Sequence, residues 1–98
     1  MAKLESKFQK ELINEIKDRF PGAVVLKNDA SYIQGFPDLT VLYKDKWGVL
    51  EVKREKSASR QPNQQYYVDK LNDMSFARIV YPENREEVLN ELCQTLKS

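Results

Sequence analysis

The sequence predicts an α/β fold, in which helices cover a mixed β-sheet, and three observations support this prediction. Apolar residues near the N-terminus recur at helical spacing. Three short β-branched runs follow them, and two further helical segments flank a fourth run. The expected element order is therefore α-β-β-β-α-β-α. A chain of 98 residues suffices for one domain, and we assign residues 1–98 to it.

The first helix is predicted at residues 4–20, where every fourth position is apolar. The stripe consists of Leu4, Phe8, Leu12, Ile16 and Phe20, widened by Ile13. Pro21 and Gly22 follow the stripe and end the helix, because both residues disfavour its continuation.

The sheet is predicted to contain strands at residues 23–27, 38–43 and 47–53. Only residues 44–46 separate the last two of these, so they should pair as an antiparallel hairpin. Residues 28–35 are rich in polar and turn-forming side chains, which predicts a loop.

The C-terminal half adds a helix at residues 62–74, a strand at residues 76–81 and a final helix. Pro62 suits the first position of the earlier helix. The apolar faces are Tyr67, Val68, Leu71 and Met74 in that helix, and Val88, Leu89, Leu92 and Leu96 in the last one. We expect the last helix to cover the sheet rather than to build a dimer interface.

Composition excludes several classes of function. The chain has no histidine, which rules out His-dependent nucleophilic catalysis and His-ligated metal sites. Its single cysteine, Cys93, excludes an internal disulfide and a multi-cysteine zinc site. A charged N-terminus and the lack of a membrane-length apolar run predict an intracellular, cytoplasmic protein. The net charge of +1 does not indicate a nucleic-acid binder, although residues 44–60 are locally basic.

Polar side chains occupy positions where the periodicity favours apolar ones. Glu5 and Gln9 fall within the apolar stripe of the first helix. Glu51 and Lys53 share one face of a strand whose neighbouring residues indicate burial on both faces. Each has an ordinary structural alternative: the first turn of the helix frays, or the strand carries an ion pair on a solvated face.

Two further polar residues also occupy informative positions in the predicted elements. Asp38 opens a strand directly after a turn shaped by Gly35 and Pro37, and Gln64 lies one turn before Val68 on an inward helical face. Alone, each is explained by a turn hydrogen bond or a satisfied core amide. Together, three carboxylates and one lysine on neighbouring elements indicate a site for a hard cation such as Mg²⁺.

The order and spacing of these residues resemble the signature of PD-(D/E)XK nucleases. Residues 35–38 read Gly-Phe-Pro-Asp, and residues 51–53 read Glu-Val-Lys. With Glu5 and Gln9 in the first helix and Gln64 before an aromatic residue, the pattern is similar to the virus-type replication-repair nuclease (VRR-NUC) branch. The resemblance spans residues 5–81. It departs from the family at Tyr67, where tryptophan is frequent.

This resemblance implies metal-dependent hydrolysis of DNA phosphodiester bonds. Asp38 and Glu51 would bind Mg²⁺ or Mn²⁺, together with the carbonyl of Val52. Glu5 would hold a second cation or a coordinated water, although similarity to junction resolvases leaves open whether Glu5 or Gln9 is the functional residue of the first helix.

The remaining site residues would act on the reaction itself. Lys53 would orient the attacking water or offset the charge that develops at phosphorus. Gln64 would hold Lys53 or that water, and Gln9 would support the site from the first helix. Contacts to DNA are expected from Lys27, Asn28, Tyr32, Gln34, Arg54, Lys56 and Arg60.

The family also implies a substrate and an assembly. We expect structure-specific cleavage of branched DNA, similar to that of Holliday junction resolvases, by a homodimer with two active sites. A phage-encoded enzyme acting in the host cytoplasm fits the compact chain. A flap- or nick-directed repair nuclease of the same fold and a catalytically silent nucleic-acid-binding module are the alternatives.

Overall fold

The computed structural model describes residues 3–98, with side chains from Glu5 onward. The elements are α1 (Lys3–Arg19), β1 (Val24–Lys27), β2 (Leu39–Tyr43), β3 (Lys46–Val52), α2 (Pro62–Met74), β4 (Ala77–Val80) and α3 (Arg85–Leu96), with a short 3₁₀ turn at Pro82–Asn84. This order confirms the predicted α-β-β-β-α-β-α arrangement. The side chain of Leu4, assigned to the apolar stripe of the first helix, lies outside the described residues.

The four strands form one mixed sheet in the order β1-β2-β3-β4. Strand β2 pairs in antiparallel fashion with both β1 and β3, which confirms the hairpin between β2 and β3. Strand β4 is parallel to β3, and α2 provides the crossover that a parallel pair requires. The registers pair Lys27 with Leu39 and Leu39 with Leu50, which fixes how side chains align across the sheet.

One face of the sheet packs against α1 and α3. The buried residues of this larger core are Phe8, Leu12, Ile16, Phe20, Leu39, Val41, Leu50, Val52, Phe76, Val80, Val88, Leu89, Leu92 and Leu96. The apolar stripes predicted for the first and last helices are therefore confirmed as core faces. Helix α3 covers the sheet, as expected.

Helix α2 packs on the opposite face, but only over β3 and β4. Val49 and Ala77 of these strands form a second core with Val68 and Leu71 of α2. Met74, which the helical spacing assigned to the same apolar face, is instead 64% exposed. It is the last residue of α2, and the chain turns there towards β4. No helix within the described residues is long and apolar enough to cross a membrane.

Strands β1 and β2 keep apolar side chains exposed on the face that α2 leaves uncovered. Val24, Leu26 and Leu42 are between 39% and 50% exposed. They share one face because Val24 pairs with Leu42 and because side chains alternate along β1. We call these three residues the open sheet face.

Candidate active site

Three polar side chains form a row across the sheet at the end of β3. Extending the registers by one residue places Asn28 opposite Asp38, and Asp38 opposite Glu51. Because directly opposed residues in antiparallel strands point to the same face, all three side chains lie on the face that also carries α2. This row brings together two of the predicted carboxylates, which come from different strands.

Asp38 is fixed by hydrogen bonds to both neighbouring strands. Its Oδ2 accepts the N–H of Val52 at 2.8 Å, and its main-chain carbonyl accepts the N–H of Asn28 at 2.8 Å. The side chain of Asn28 donates from Nδ2 to the Pro37 carbonyl and to Thr40 Oγ1, both at 2.9 Å. Strand β1 therefore braces the turn that carries Asp38.

Glu51 is almost fully buried, with 3% of its surface exposed. Its Oε2 lies 3.5 Å from Lys53 Nζ, whereas its Oε1 is buried with no hydrogen-bond partner in the described part of the chain. A buried carboxylate oxygen without a partner is costly unless a ligand satisfies it. Glu51 therefore presents an oxygen that is available to a cation.

The environment of Glu51 favours its protonated form when no cation is bound. Burial raises the pKa of Glu51 to about 8, and the Asp38 and Glu5 carboxylates add to the rise, while Lys53 opposes it. Burial also raises the pKa of Asp38, against the lowering effects of the Val52 N–H and Lys53. Two crowded, desolvated carboxyl groups in one site are the arrangement that a positive ion relieves.

Lys53 is buried, and helix α2 fixes its ammonium group. Gln64 Oε1 accepts a hydrogen bond from Lys53 Nζ at 2.9 Å and a second from the main-chain N–H of Gln61 at 3.0 Å. Gln64 therefore ties together the start of α2 and the end of β3. The inward direction predicted for Gln64 and its proximity to Lys53 both appear in the structure.

The two polar residues predicted in the first helix have different environments. Gln9 is buried on α1, whereas Glu5, one turn earlier, is only partly buried. Helix α1 packs on the opposite face of the sheet from Glu51, yet Glu5 is near enough to raise the pKa of Glu51. In the described part of the chain, no three Asp, Glu, Cys or His side chains are grouped closely enough to hold a metal ion. The roles of Glu5 and Gln9 remain predictions.

The donor set nevertheless fits a hard divalent cation. Asp38 and Glu51 supply carboxylate oxygens from one face, and Glu51 Oε1 lacks any other partner. The carbonyl of Val52 points to the same side of β3 as its N–H, which contacts Asp38. Mg²⁺ is commonly bound through one or two carboxylates and keeps several waters, so this site does not require a third protein carboxylate.

The residues expected to contact DNA divide into two groups. Lys27, Tyr32, Gln34, Arg54, Lys56 and Arg60 are exposed. Asn28 is partly buried, and both hydrogen bonds of its amide nitrogen are made within the protein. A role for Asn28 in bracing Pro37 and Asp38 was not apparent from the sequence, because it depends on the β1–β2 register. The position of Asn28 directly after the first predicted strand was the available indication that it could contact the neighbouring strand.

The loop before Asp38 is held against α2 at Gly35. Gly35 has a φ of +86°, and a Cβ there would lie 2.6–2.9 Å from side-chain and main-chain atoms of Asn63. Only glycine combines this backbone conformation with so close an approach. Gly35 thus fixes the loop of residues 28–35 against the same helix start that holds Lys53.

Comparison with known proteins supports the fold. A solved structure described as "VRR_NUC domain" superposes with a TM-score of 0.73 at 18% sequence identity, covering 91% of this chain and 97% of that chain. No protein-family model matches the chain. No curated protein matches it either. At this level of identity the likeness establishes architecture, and the chain therefore has the fold of a VRR_NUC domain, as the motif pattern predicted.

Proposed function

We propose that this chain is a nuclease of the PD-(D/E)XK type that hydrolyses phosphodiester bonds of DNA with Mg²⁺ or Mn²⁺. One observation carries the proposal: Glu51 lies in a row with Asp38, its Oε2 is 3.5 Å from the ammonium of Lys53, and its buried Oε1 has no hydrogen-bond partner among the described residues. A structural ion pair would need no unpartnered oxygen and no second, partly buried carboxyl group beside it. The VRR_NUC fold supports the same reading.

Each residue has a distinct part in this reaction. Asp38, Glu51 and the Val52 carbonyl would hold the cation, with Glu5 supporting a second ion or a coordinated water. When bound, the cation supplies Lewis acidity, which lowers the pKa of a coordinated water and polarises the phosphate. Lys53 would position the attacking water or offset the negative charge that develops at phosphorus.

Gln64 and Gln9 are proposed as positioning residues. Gln64 Oε1 already accepts a hydrogen bond from Lys53 Nζ, which restricts where that ammonium can lie. Gln9 would support the site from α1, where its side chain is buried. The exposed basic side chains of Lys27, Arg54, Lys56 and Arg60 would contact phosphates on the flanks.

We further propose that the substrate is branched DNA and that the enzyme acts as a homodimer. The motif resemblance to junction resolvases supports the substrate, and the open sheet face supports an assembly, since it exposes three apolar side chains together. The buried residues of α3 do not offer that surface, because Val88, Leu92 and Leu96 are in the core.

The first experiment incubates the protein with a labelled four-way junction in Mg²⁺, in Mn²⁺ and in chelator. Lys53→Ala should lower the cleavage rate at least about 100-fold, because charge stabilisation at the transition state is lost. Lys17→Ala is the matched control, since Lys17 is an exposed lysine on α1. Cleavage that persists in chelator, or that is unchanged in Lys53→Ala, would refute the mechanism.

A second measurement tests the cation site without catalysis. Mn²⁺ should raise the melting temperature of the wild-type protein at pH 8, because the cation binds the folded state only. Glu51→Gln should abolish most of that shift, since the orphan carboxylate oxygen is gone. An equal shift in both proteins would place the cation elsewhere.

Flaps, nicks and linear duplex belong in the same cleavage assay. Paired, symmetric cuts in the four-way junction would support the resolvase reading. Preferential cutting of a flap or nick would favour a repair nuclease of the same fold. Binding to DNA without cutting in any metal would favour a silent binding module.

A further inference from the structure

A cavity of about 430 Å³ lies beside the candidate active site and belongs to none of the proposed catalytic roles. It is lined by Asn28, Asp29, Tyr32, Ile33 and Phe36, and its surface is mostly apolar. A volume of this size lies within the range of small-molecule sites. The cavity therefore has room for a planar organic group.

The cavity wall is connected directly to Asp38. Asn28 donates its main-chain N–H to the carbonyl of Asp38 and its side-chain amide to the carbonyl of Pro37. Phe36 precedes this pair in the chain and packs against Tyr67 of α2, with ring centroids 5.6 Å apart. A group bound in the cavity would lie next to the DNA strand whose phosphate is bound at the proposed active site.

Two features of the lining select the kind of group that fits. Tyr32 is 85% exposed, so a flat partner can stack on its ring. Asp29 carries a carboxylate whose pKa is lowered, chiefly by its hydrogen bond from the Ser31 hydroxyl, so it stays ionised at neutral pH. An anionic wall repels phosphate, whereas an aromatic wall attracts a base.

The Asp29 carboxylate also has a free acceptor. Ser31 donates both its main-chain N–H and its hydroxyl to Oδ1, at 2.9 Å and 2.7 Å. Oδ2 is left to accept a hydrogen bond from a ligand. The exocyclic amino groups of cytosine, adenine and guanine are suitable donors, whereas an unpaired thymine has no amino group and can donate only its ring N3–H.

We propose that this cavity binds one unpaired nucleobase of the DNA substrate, by stacking on Tyr32 and by donation of an amino group to Asp29. The proposal rests on the proposed nuclease function and specifies its substrate: a strand with an unpaired nucleotide beside the cleaved phosphate. Fully paired duplex would leave the cavity empty and would bind through phosphates alone.

The test measures DNA binding in chelator, where no cleavage occurs. The probe is a forked duplex with 2-aminopurine at the first unpaired position, and a fully paired duplex of the same sequence is the reference. The fluorescence of 2-aminopurine should fall on binding to the wild-type protein. Tyr32→Ala should weaken fork binding about tenfold, which corresponds to about 1.4 kcal/mol, and abolish the quenching, since the base loses its stacking partner.

Two control variants separate the loss of stacking from a loss of structure and from the removal of any exposed tyrosine. Tyr32→Phe keeps the ring and should behave as wild type. Tyr66→Ala removes another exposed tyrosine, which does not line the cavity, and should leave fork binding unchanged. If Tyr32→Ala weakens fork and paired duplex equally, or leaves the fork unaffected, the proposal is overturned.

Asp29→Asn tests the amino-group contact. The Ser31 donors should keep the amide oxygen in the Oδ1 position, which leaves Nδ2 facing the cavity. The preference for an unpaired cytosine over thymine should then reverse, because Nδ2 donates where the carboxylate accepted. An unchanged preference would refute the contact. If the wild-type protein binds forks through Tyr32 but cuts no DNA in Mg²⁺ or Mn²⁺, the cavity proposal stands and the nuclease proposal fails.

Discussion

At Glu51, the requirements of fold stability and of the proposed function oppose each other. Its carboxyl group is buried on the sheet, yet one oxygen has no partner. An apolar residue would suit the isolated fold better, because a buried polar atom without a partner is costly. The proposed cation site would supply the partner that this oxygen lacks.

The raised pKa of Glu51 gives a prediction for stability in chelator. Between pH 4.5, the ordinary value, and about pH 8, the folded state binds more protons than the unfolded state. The free energy of unfolding should therefore fall as the pH rises through this window, and Glu51 alone contributes a slope of at most about 1.4 kcal/mol for each pH unit. Urea unfolding at a series of pH values in chelator measures this dependence.

Glu51→Gln should flatten that dependence and raise stability at pH 8, because no carboxylate then has to ionise in the core. Glu11→Gln, at an exposed position of α1, should keep the wild-type profile. A wild-type protein whose stability is constant across this pH range would show that Glu51 ionises freely in the fold.

Gln64 offers a test of positioning at the same scale. Gln64→Ala should lower the cleavage rate by a smaller factor than Lys53→Ala, because the ammonium remains but loses an acceptor that fixes it. Gln64→Glu keeps an acceptor and should recover part of the rate. If Gln64→Ala and Gln64→Glu are equally slow, the amide has a role other than holding Lys53.

Sequence periodicity was informative for the residues that depend on local geometry. Glu51 and Lys53 could be placed on one face from strand alternation, and Gln64 from helical spacing. Asn28 could not be identified as a brace for Asp38, because that contact depends on how β1 pairs with β2 across a loop. The orphan oxygen of Glu51 depends on every surrounding side chain, and no pattern in the sequence reveals it.

At the scale of elements, the start of α2 positions two parts of the candidate site. It receives the loop at Gly35, through Asn63, and it holds Lys53 through Gln64. The sequence predicted the bounds of this helix correctly, because Pro62 marks its first residue and apolar spacing follows. The close approach at Gly35 was not predictable, since a turn glycine has the same appearance with or without a neighbour.

Gly35→Ala should destabilise the protein by about 1–3 kcal/mol and slow cleavage, because the new Cβ would press against Asn63 in a left-handed conformation. Gly22→Ala is a matched control: its φ is +89°, but nothing lies within 4 Å of the new atom. Thermal unfolding and the cleavage rate measure both effects. Equal losses in the two variants would show that only the backbone conformation matters.

At the scale of the whole molecule, the two faces of the sheet are covered unequally. Helices α1 and α3 bury one face, while α2 covers only β3 and β4 on the other. The sequence predicted the layers and the element order, because both follow from local patterns. It did not predict the strand order or the uncovered part of the sheet, which depend on long-range pairing.

This asymmetry leads to a prediction about assembly. If the protein dimerises through the open sheet face, Leu26→Lys should shift it towards monomer in sedimentation measurements, because a charge would be desolvated at the interface. Met74→Lys is the control, since Met74 is an apolar residue that is more exposed than Leu26 and lies outside the open sheet face. A dimer that persists in Leu26→Lys would place the interface elsewhere.

The hydrogen bond between Gln64 and Lys53 also affects the order in which the parts of the proposed active site assemble during folding. Asp38, Glu51 and Lys53 belong to one hairpin region, whose contacts are local in sequence and form quickly. The partner that fixes the lysine comes from a later helix, which must dock across the sheet. A chain in which α2 is not docked would keep both carboxylates and the Glu51–Lys53 ion pair, but it would lack the Gln64 acceptor that fixes the ammonium. On the proposed mechanism, cutting would therefore require α2 to be docked, and amide exchange at the start of this helix should report the fraction of molecules able to cut.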